Sequence, residues 1–155
     1  MDINKREREA VAVPGGTELK SLPKALLHEH LDGGLRPQTL LDLCRARGVQ
    51  VPAADAPSLA RWMQANANSG SLERYLKGFA ITIAAMATEA ACERVAFEAA
   101  EDALADGCVL AEFRMAPLLL EPYGLSGEAV EASNRANVCY FANDVSNSAK
   151  NQHVW

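Results

Sequence analysis

A surplus of positive charge is absent from this sequence: 15 Lys+Arg stand against 20 Asp+Glu over 155 residues, a formal net charge of −5 at pH 7. Nucleic acids and anionic membrane surfaces are held by clustered cations, so neither is an expected partner. Paired cysteines are also missing. Cys44, Cys92, Cys108 and Cys139 form no CxxC pair, which excludes a cysteine-rich zinc module and points to reduced structural thiols in a cytoplasmic protein. With 10 Gly and 7 Pro the chain is neither fibrous nor of low complexity. No apolar run approaches the roughly 18–20 residues that cross a bilayer, the longest being Ala80 to Ala87. The charged N-terminal segment lacks the apolar core of a secretory signal. What is present, 49% hydrophobic and 23% charged residues, is the composition of a globular domain whose ligand is small or proteinaceous.

Residues 1–20 are polar, end near Pro14-Gly15-Gly16, and read as a flexible leader. Ala25 to Leu31 reads as a short buried strand stopped by Asp32-Gly33-Gly34. Pro37 is placed to open a helix that Gly48 ends. A weaker helix follows from Ser58 to about Ala67, then one capped by Ser71 over Leu72 to Met86, then one capped by Thr88 over Glu89 to Ala105. Cys108 to Ala116 is apolar and β-like and reads as a second buried strand. A short helix over Gly127 to Ser133 precedes a tail, 134–155, with five Asn and no periodicity.

Chemistry concentrates in Leu27-His28-Glu29-His30-Leu31-Asp32-Gly33. On a strand, residues i and i+2 share a face, so His28 and His30 converge and Glu29 points away. Two neutral imidazoles at a strand end are suited to a divalent ion such as zinc. The pattern alone leaves open that they are two satisfied histidines at the end of a strand. The face carrying Tyr75, Leu76 and Phe79 is equally open: spacing cannot separate a ligand-covering surface from an ordinary helix core. Glu112 and Arg114 share a face of the second strand and read as a structural ion pair.

The run from Leu22 to Pro37, with H-x-H-L-D-G at its centre, closely resembles the opening of the adenosine deaminase family. Further motifs follow in family order. Ser71-Leu72-Glu73-Arg74-Tyr75-Leu76-Lys77-Gly78-Phe79 is similar to its S-L-x-x-F/Y-L-x-x-F helix. Glu93-Arg94-Val95-Ala96-Phe97-Glu98 and Asp106-Gly107-Cys108-Val109-Leu110-Ala111-Glu112-Phe113-Arg114 resemble the family's next helix and second strand. Gly124-Leu125-Ser126 with Glu128-Ala129-Val130 completes a resemblance covering residues 22–132. It implies an α/β fold, the N-terminal portion of a (β/α)8 TIM barrel of the metal-dependent hydrolase type, with several helices inserted between strands one and two. It also implies zinc-dependent hydrolysis of adenosine or deoxyadenosine to inosine and ammonia, as in purine salvage. His28 and His30 would be zinc ligands, Asp32 a contact to the purine nucleoside, and Tyr75, Leu76 and Phe79 an apolar lid.

A complete barrel takes about 250 residues, and two strands are legible here. The family's third zinc histidine, its catalytic glutamate in an H-A-G-E-like segment, a later histidine and a late aspartate have no counterpart in the chain. His153 stands in a segment that resembles nothing in the family. The expectation is an incomplete barrel over 21–133 with a divergent tail, one zinc ion per complete site, little activity on its own, and self-association through open strand edges. The alternatives are a non-catalytic fragment or degenerate deaminase, and an adenine deaminase on the same barrel. A cytidine-type site is disfavoured because its H-x-E and P-C-x-x-C signature is missing.

Overall fold

The computed structural model describes residues 19–134 together with Gly16. The polar leader over 1–20, apart from Gly16, Leu19 and Lys20, and the tail after Asn134, with Cys139 and His153, lie outside the described residues. Strand β1 (Lys24–His30) and strand β2 (Cys108–Arg114) are joined by four helices: α1 (Pro37–Arg47), α2 (Ala56–Ala67), α3 (Leu72–Met86) and α4 (Glu89–Ala105). A 3-10 segment, Pro117–Tyr123, follows β2. Residues 127–134 then form a last helix, α5. The two strands pair in parallel, an arrangement that requires a long crossover because a hairpin cannot reverse the chain direction twice. The inserted helices anticipated between strands one and two are that crossover.

Local chemistry explains where the elements start and stop. Pro37 occupies the first turn of α1, and Gly48 ends it at φ 68°, a left-handed conformation that glycine adopts without a Cβ penalty. Asp55, Ser71 and Thr88 cap α2, α3 and α4 by accepting from the N–H groups of Ser58 (2.7 Å), Arg74 (3.4 Å) and Ala91 (3.1 Å). The Ser58 N–H also holds the Asp55 carboxyl below its usual range. Helix α2 begins earlier than periodicity suggests, because the Asp55 cap and Pro57 set its first turn.

The core clusters lie among the helices and the 3-10 segment. Leu40, Leu41, Cys44, Leu59 and Ala85 join α1, α2 and α3. Ile83, Met86, Cys92, Val95, Leu120, Leu125 and Val130 join α3 and α4 to the 3-10 segment and α5. Arg47 staples the layers together: its guanidinium donates to the carbonyls of Ala84 (2.7 Å), Ala87 (2.7 Å) and Tyr123 (3.3 Å), satisfying acceptors that a helix end leaves free. Cys44, Cys92 and Cys108 are buried free thiols, as expected of structural cysteines. Burial, then the nearby Glu89 and Glu93, pushes the Cys92 thiol up to about 11.

Both strands depart from the expectation of full burial. Leu27, Val109 and Leu110 are 62%, 58% and 55% exposed. The physical reason is the strand count: in a two-stranded sheet each strand is an edge, and helices cover one face only. A fully apolar sequence therefore carries two environments, one packed on α4 and one open.

Candidate active site

The strand-end motif sits on an irregular piece of β1. Leu26 pairs with Ala111 and Glu29 with Phe113, so β1 uses three steps where β2 uses two. The extra residue is a bulge, and His28 takes it up with φ 63°, a left-handed conformation that costs a non-glycine residue of order 1–3 kcal/mol. Leu27 and His28 are consecutively exposed, Glu29 is half-buried and His30 is exposed again. The i, i+2 relation survives beyond the bulge: the rings of His28 and His30 lie 5.4 Å apart, centroid to centroid, tilted by 47°.

This backbone gives an unusual mutational order. In a regular strand, glycine is less stable than alanine by about 0.5–1 kcal/mol. At a left-handed position the sign reverses, so His28→Gly should be more stable than His28→Ala by about 1 kcal/mol. Urea midpoints of the two variants measure this directly, and the ordinary order would show that position 28 is regular strand.

Asp32 follows in a turn fixed from three sides. The Leu31 N–H donates to the Arg114 carbonyl (2.9 Å), and the Gly33 N–H donates to the His30 carbonyl (3.1 Å). The Thr82 hydroxyl of α3 donates to the Asp32 carbonyl at 2.5 Å. The Asp32 side chain is buried, the residue being 2% exposed. Its Oδ1 lies 3.4 Å from His30 Nδ1, within ion-pair reach, yet it has no hydrogen-bond partner. A buried acceptor without a donor is uncommon and costs about 1–3 kcal/mol.

Next to this turn, Gly33, Met63, Gln64, Ala67, Tyr75 and Phe79 line a slot of about 190 Å³. That is below the roughly 300–1,000 Å³ of complete ligand pockets, as one wall of a larger site would be. Phe79 roofs Gly33 so closely that a Cβ there would meet its Cζ at 2.9 Å. Gly33→Ala should therefore cost about 1–3 kcal/mol, and the cost should largely vanish in a Phe79→Ala background, read as a double-mutant cycle of thermal stability. Equal costs in both backgrounds would show that the ring is not the obstacle.

The α3 face is divided between two environments, with Phe79 packed against the core cluster and Tyr75 and Leu76 open. Tyr75 and Leu76 are 43% and 49% exposed, so they are not core; Phe79 is half-buried over Gly33, its ring 5.2 Å from that of Tyr75. The buried face of α3 is carried instead by Gly78 and by Thr82 to Met86. Glu112 and Arg114 form the expected ion pair at 2.7 Å. Sequence reading missed Met63 and Gln64, whose helix carries no motif, and Thr82, whose hydroxyl matters only once α3 is laid against the turn.

Two imidazoles chelating one zinc ion through bonds of about 2.0–2.1 Å at a tetrahedral angle hold their centroids about 5 Å apart. The 5.4 Å observed between His28 and His30 fits that requirement. The unpartnered Asp32 Oδ1 beside them marks a place where a donor or cation would be favourable. Among the described residues there is no group of three or more His, Cys, Asp or Glu that could hold a metal ion.

The fold is that of part of an α/β barrel, two parallel strands joined by inserted helices, with an H-x-H motif at the end of the first strand. A family model for adenosine deaminase matches residues 23–140, and the chain belongs to that family. It is 52% identical over 116 residues to the adenosine deaminase of Mycobacterium leprae, covering 74% of this chain and 32% of that protein. It is 55% identical over 105 residues to the adenosine deaminase of Mycobacteroides abscessus, covering 67% and 29%. The chain thus spans about a third of the length of these relatives. Among solved structures it is similar to an adenine deaminase from Arthrobacter aurescens, with a TM-score of 0.68 and 24% identity over 79% of this chain and 36% of that one. An arabidopsis N6-mAMP deaminase gives a TM-score of 0.62 and 27% identity over 78% and 35%.

Proposed function

We propose that residues 21–133 supply the first part of an adenosine deaminase site, for the hydrolysis of adenosine or deoxyadenosine to inosine and ammonia. The observation that carries this reading is the pair of neighbouring imidazoles at the end of β1, beside the buried Asp32, whose Oδ1 has no hydrogen-bond partner. In this reading His28 and His30 hold zinc, and Asp32 contacts the nucleoside. Tyr75, Leu76 and Phe79 form the apolar lid, with the rings of Phe79 and Tyr75 in tilted contact at one wall of the slot. When bound, zinc is a Lewis acid that lowers the pKa of water to about 7 and so makes hydroxide available at neutral pH. The work of the chain's own residues is to orient the two imidazoles, exclude water from the slot and offer the Asp32 carboxylate to the nucleoside.

The partner is a small purine nucleoside. The net charge of −5 favours neither nucleic acid nor an anionic membrane surface. Among the described residues no helix is long and apolar enough to cross a membrane, and a cytoplasmic location is part of the proposal. Because the described residues hold only two imidazoles, the reading includes a chain that does not turn over adenosine alone and that self-associates through its open strand edges.

Ammonia release from adenosine by the purified chain with added zinc tests this. No turnover by the chain is expected, together with weak zinc binding that His28→Ala and His30→Ala each abolish. Adenosine turnover sensitive to His28→Ala would overturn the incomplete-site reading. Zinc binding indifferent to both histidines would overturn the metal assignment.

A further inference from the structure

Helix α3 does more than border the slot, because two of its side chains grip the turn that follows β1. Phe79 closes over Gly33, and Thr82, 1% exposed, donates its hydroxyl to the Asp32 carbonyl from fifty residues along the chain. No other hydrogen bond from a side chain reaches this turn among the described contacts, and its remaining ties are the backbone bonds of Leu31, Gly33 and Gly34. Those backbone bonds set the path of the chain. The Gly33 N–H bond holds one edge of the planar Asp32–Gly33 peptide, and Thr82, whose hydroxyl lies nearer the Asp32 carbonyl (2.5 Å) than the Phe79 carbonyl of its own helix (3.1 Å), holds the other edge.

We propose that Thr82 is a positioning residue: by holding the Asp32 carbonyl, it aims the buried Asp32 carboxylate at His30 Nδ1 and so couples the lid helix to a metal-binding imidazole. The chemistry of the pair supports this. An imidazole that binds a metal through one nitrogen usually offers the other, as N–H, to a carboxylate or carbonyl, and that partner fixes the ring's orientation and tautomer. Asp32 Oδ1 stands 3.4 Å from His30 Nδ1 and has no other partner. This leaves Nε2 of His30 as the nitrogen available to an ion. A slight rotation of the Asp32 turn would make that contact a hydrogen bond or break it, and the Thr82 hydroxyl is the side-chain group that resists the rotation, beside the Gly33 N–H bond on the same peptide. The inference rests on the proposed role of His30 but assigns to Thr82 a part that neither motif nor periodicity suggests.

The test uses the full 155-residue chain as wild type, Thr82→Val, which keeps the shape and removes the donor, and Thr82→Ser, which keeps the donor. Two quantities are read: amide hydrogen exchange at Gly33 and Gly34, with Leu40 and Leu41 as controls for global opening, and the affinity for zinc alone. Thr82→Val should speed exchange at Gly33 and Gly34 by about tenfold without changing the controls. It should also weaken zinc binding by about 10- to 100-fold, the range for loss of an outer partner of a ligating histidine. Thr82→Ser should return both to within about twofold of wild type. Zinc affinity unchanged in Thr82→Val, or a serine variant that behaves like valine, would overturn the proposal. A wild-type chain that takes up no zinc would overturn the metal reading instead, and the exchange of Gly33 and Gly34 in the valine and serine variants would then decide the role of Thr82.

Discussion

Leu59→Ala is expected to destabilise the chain by about 2–5 kcal/mol, the range for deleting a fully buried leucine. Leu59 is the side chain through which α2 joins the cluster of Leu40, Leu41, Cys44 and Ala85, and it is 0% exposed. The size of the effect follows from the shape of the fold: α2 is short, and the residues of its own that are buried are Leu59 and Asn66. With the anchor removed, α2 keeps only the partly buried contacts of Ala56 and Met63 with this cluster. Met63, one turn further along α2, packs against Gly78 so closely that a Cβ there would meet its Cε at 3.1 Å. Loosening α2 therefore opens the slot as well as the core. A urea titration followed by circular dichroism should show the midpoint fall. A loss under about 1 kcal/mol would mean that the three-helix layer is not the packed core described.

Asp32→Asn is expected to act in the opposite direction, raising stability by about 1–3 kcal/mol. A carboxylate taken out of water needs donors, and the Oδ1 of Asp32 has none, although it is buried. The amide is isosteric and neutral, and its NH2 group can face the carbonyl-rich turn. A gain in stability accompanied by weaker zinc or nucleoside binding would be the signature of a residue kept for its chemistry against its cost to the fold. Asp32→Leu separates this from simple relief of charge, since the larger apolar side chain must also fit beneath α3. If Asp32→Asn lowers the thermal midpoint, the carboxylate is paired in solution and the site is more complete than the present contacts imply.

The exposed face of the sheet is the counterpart of these buried effects. Leu27, Val109 and Leu110 stand open on the strands, as do Leu72, Tyr75 and Leu76 on α3. In a chain that spans about a third of its relatives' length, such surfaces are where further elements of a barrel would pack. They are also why the apolar spacing of α3 was ambiguous when read as sequence. A lid and a core face both call for large apolar residues at helical spacing, and only the neighbours distinguish them.

Much of the local structure follows from the amino-acid sequence by itself. Pro37 with Gly48, the caps Ser71 and Thr88, and the Asp106-Gly107 stop bound their elements through short-range hydrogen bonding and backbone preference, so those boundaries were legible without any tertiary information. That His28 and His30 are neighbours follows from the two-residue period of a strand, and the family from motifs in a set order. Tertiary structure decided the rest. The bulge that puts His28 at φ 63° arises from pairing with β2, about eighty residues away. The burial of Asp32 and the exposure of Tyr75 and Leu76 depend on where α3 lies. The hold of Thr82 on the Asp32 turn likewise depends on a contact across fifty residues. Burial and partnership at these positions belong to pairs of distant segments, and no local pattern encodes them.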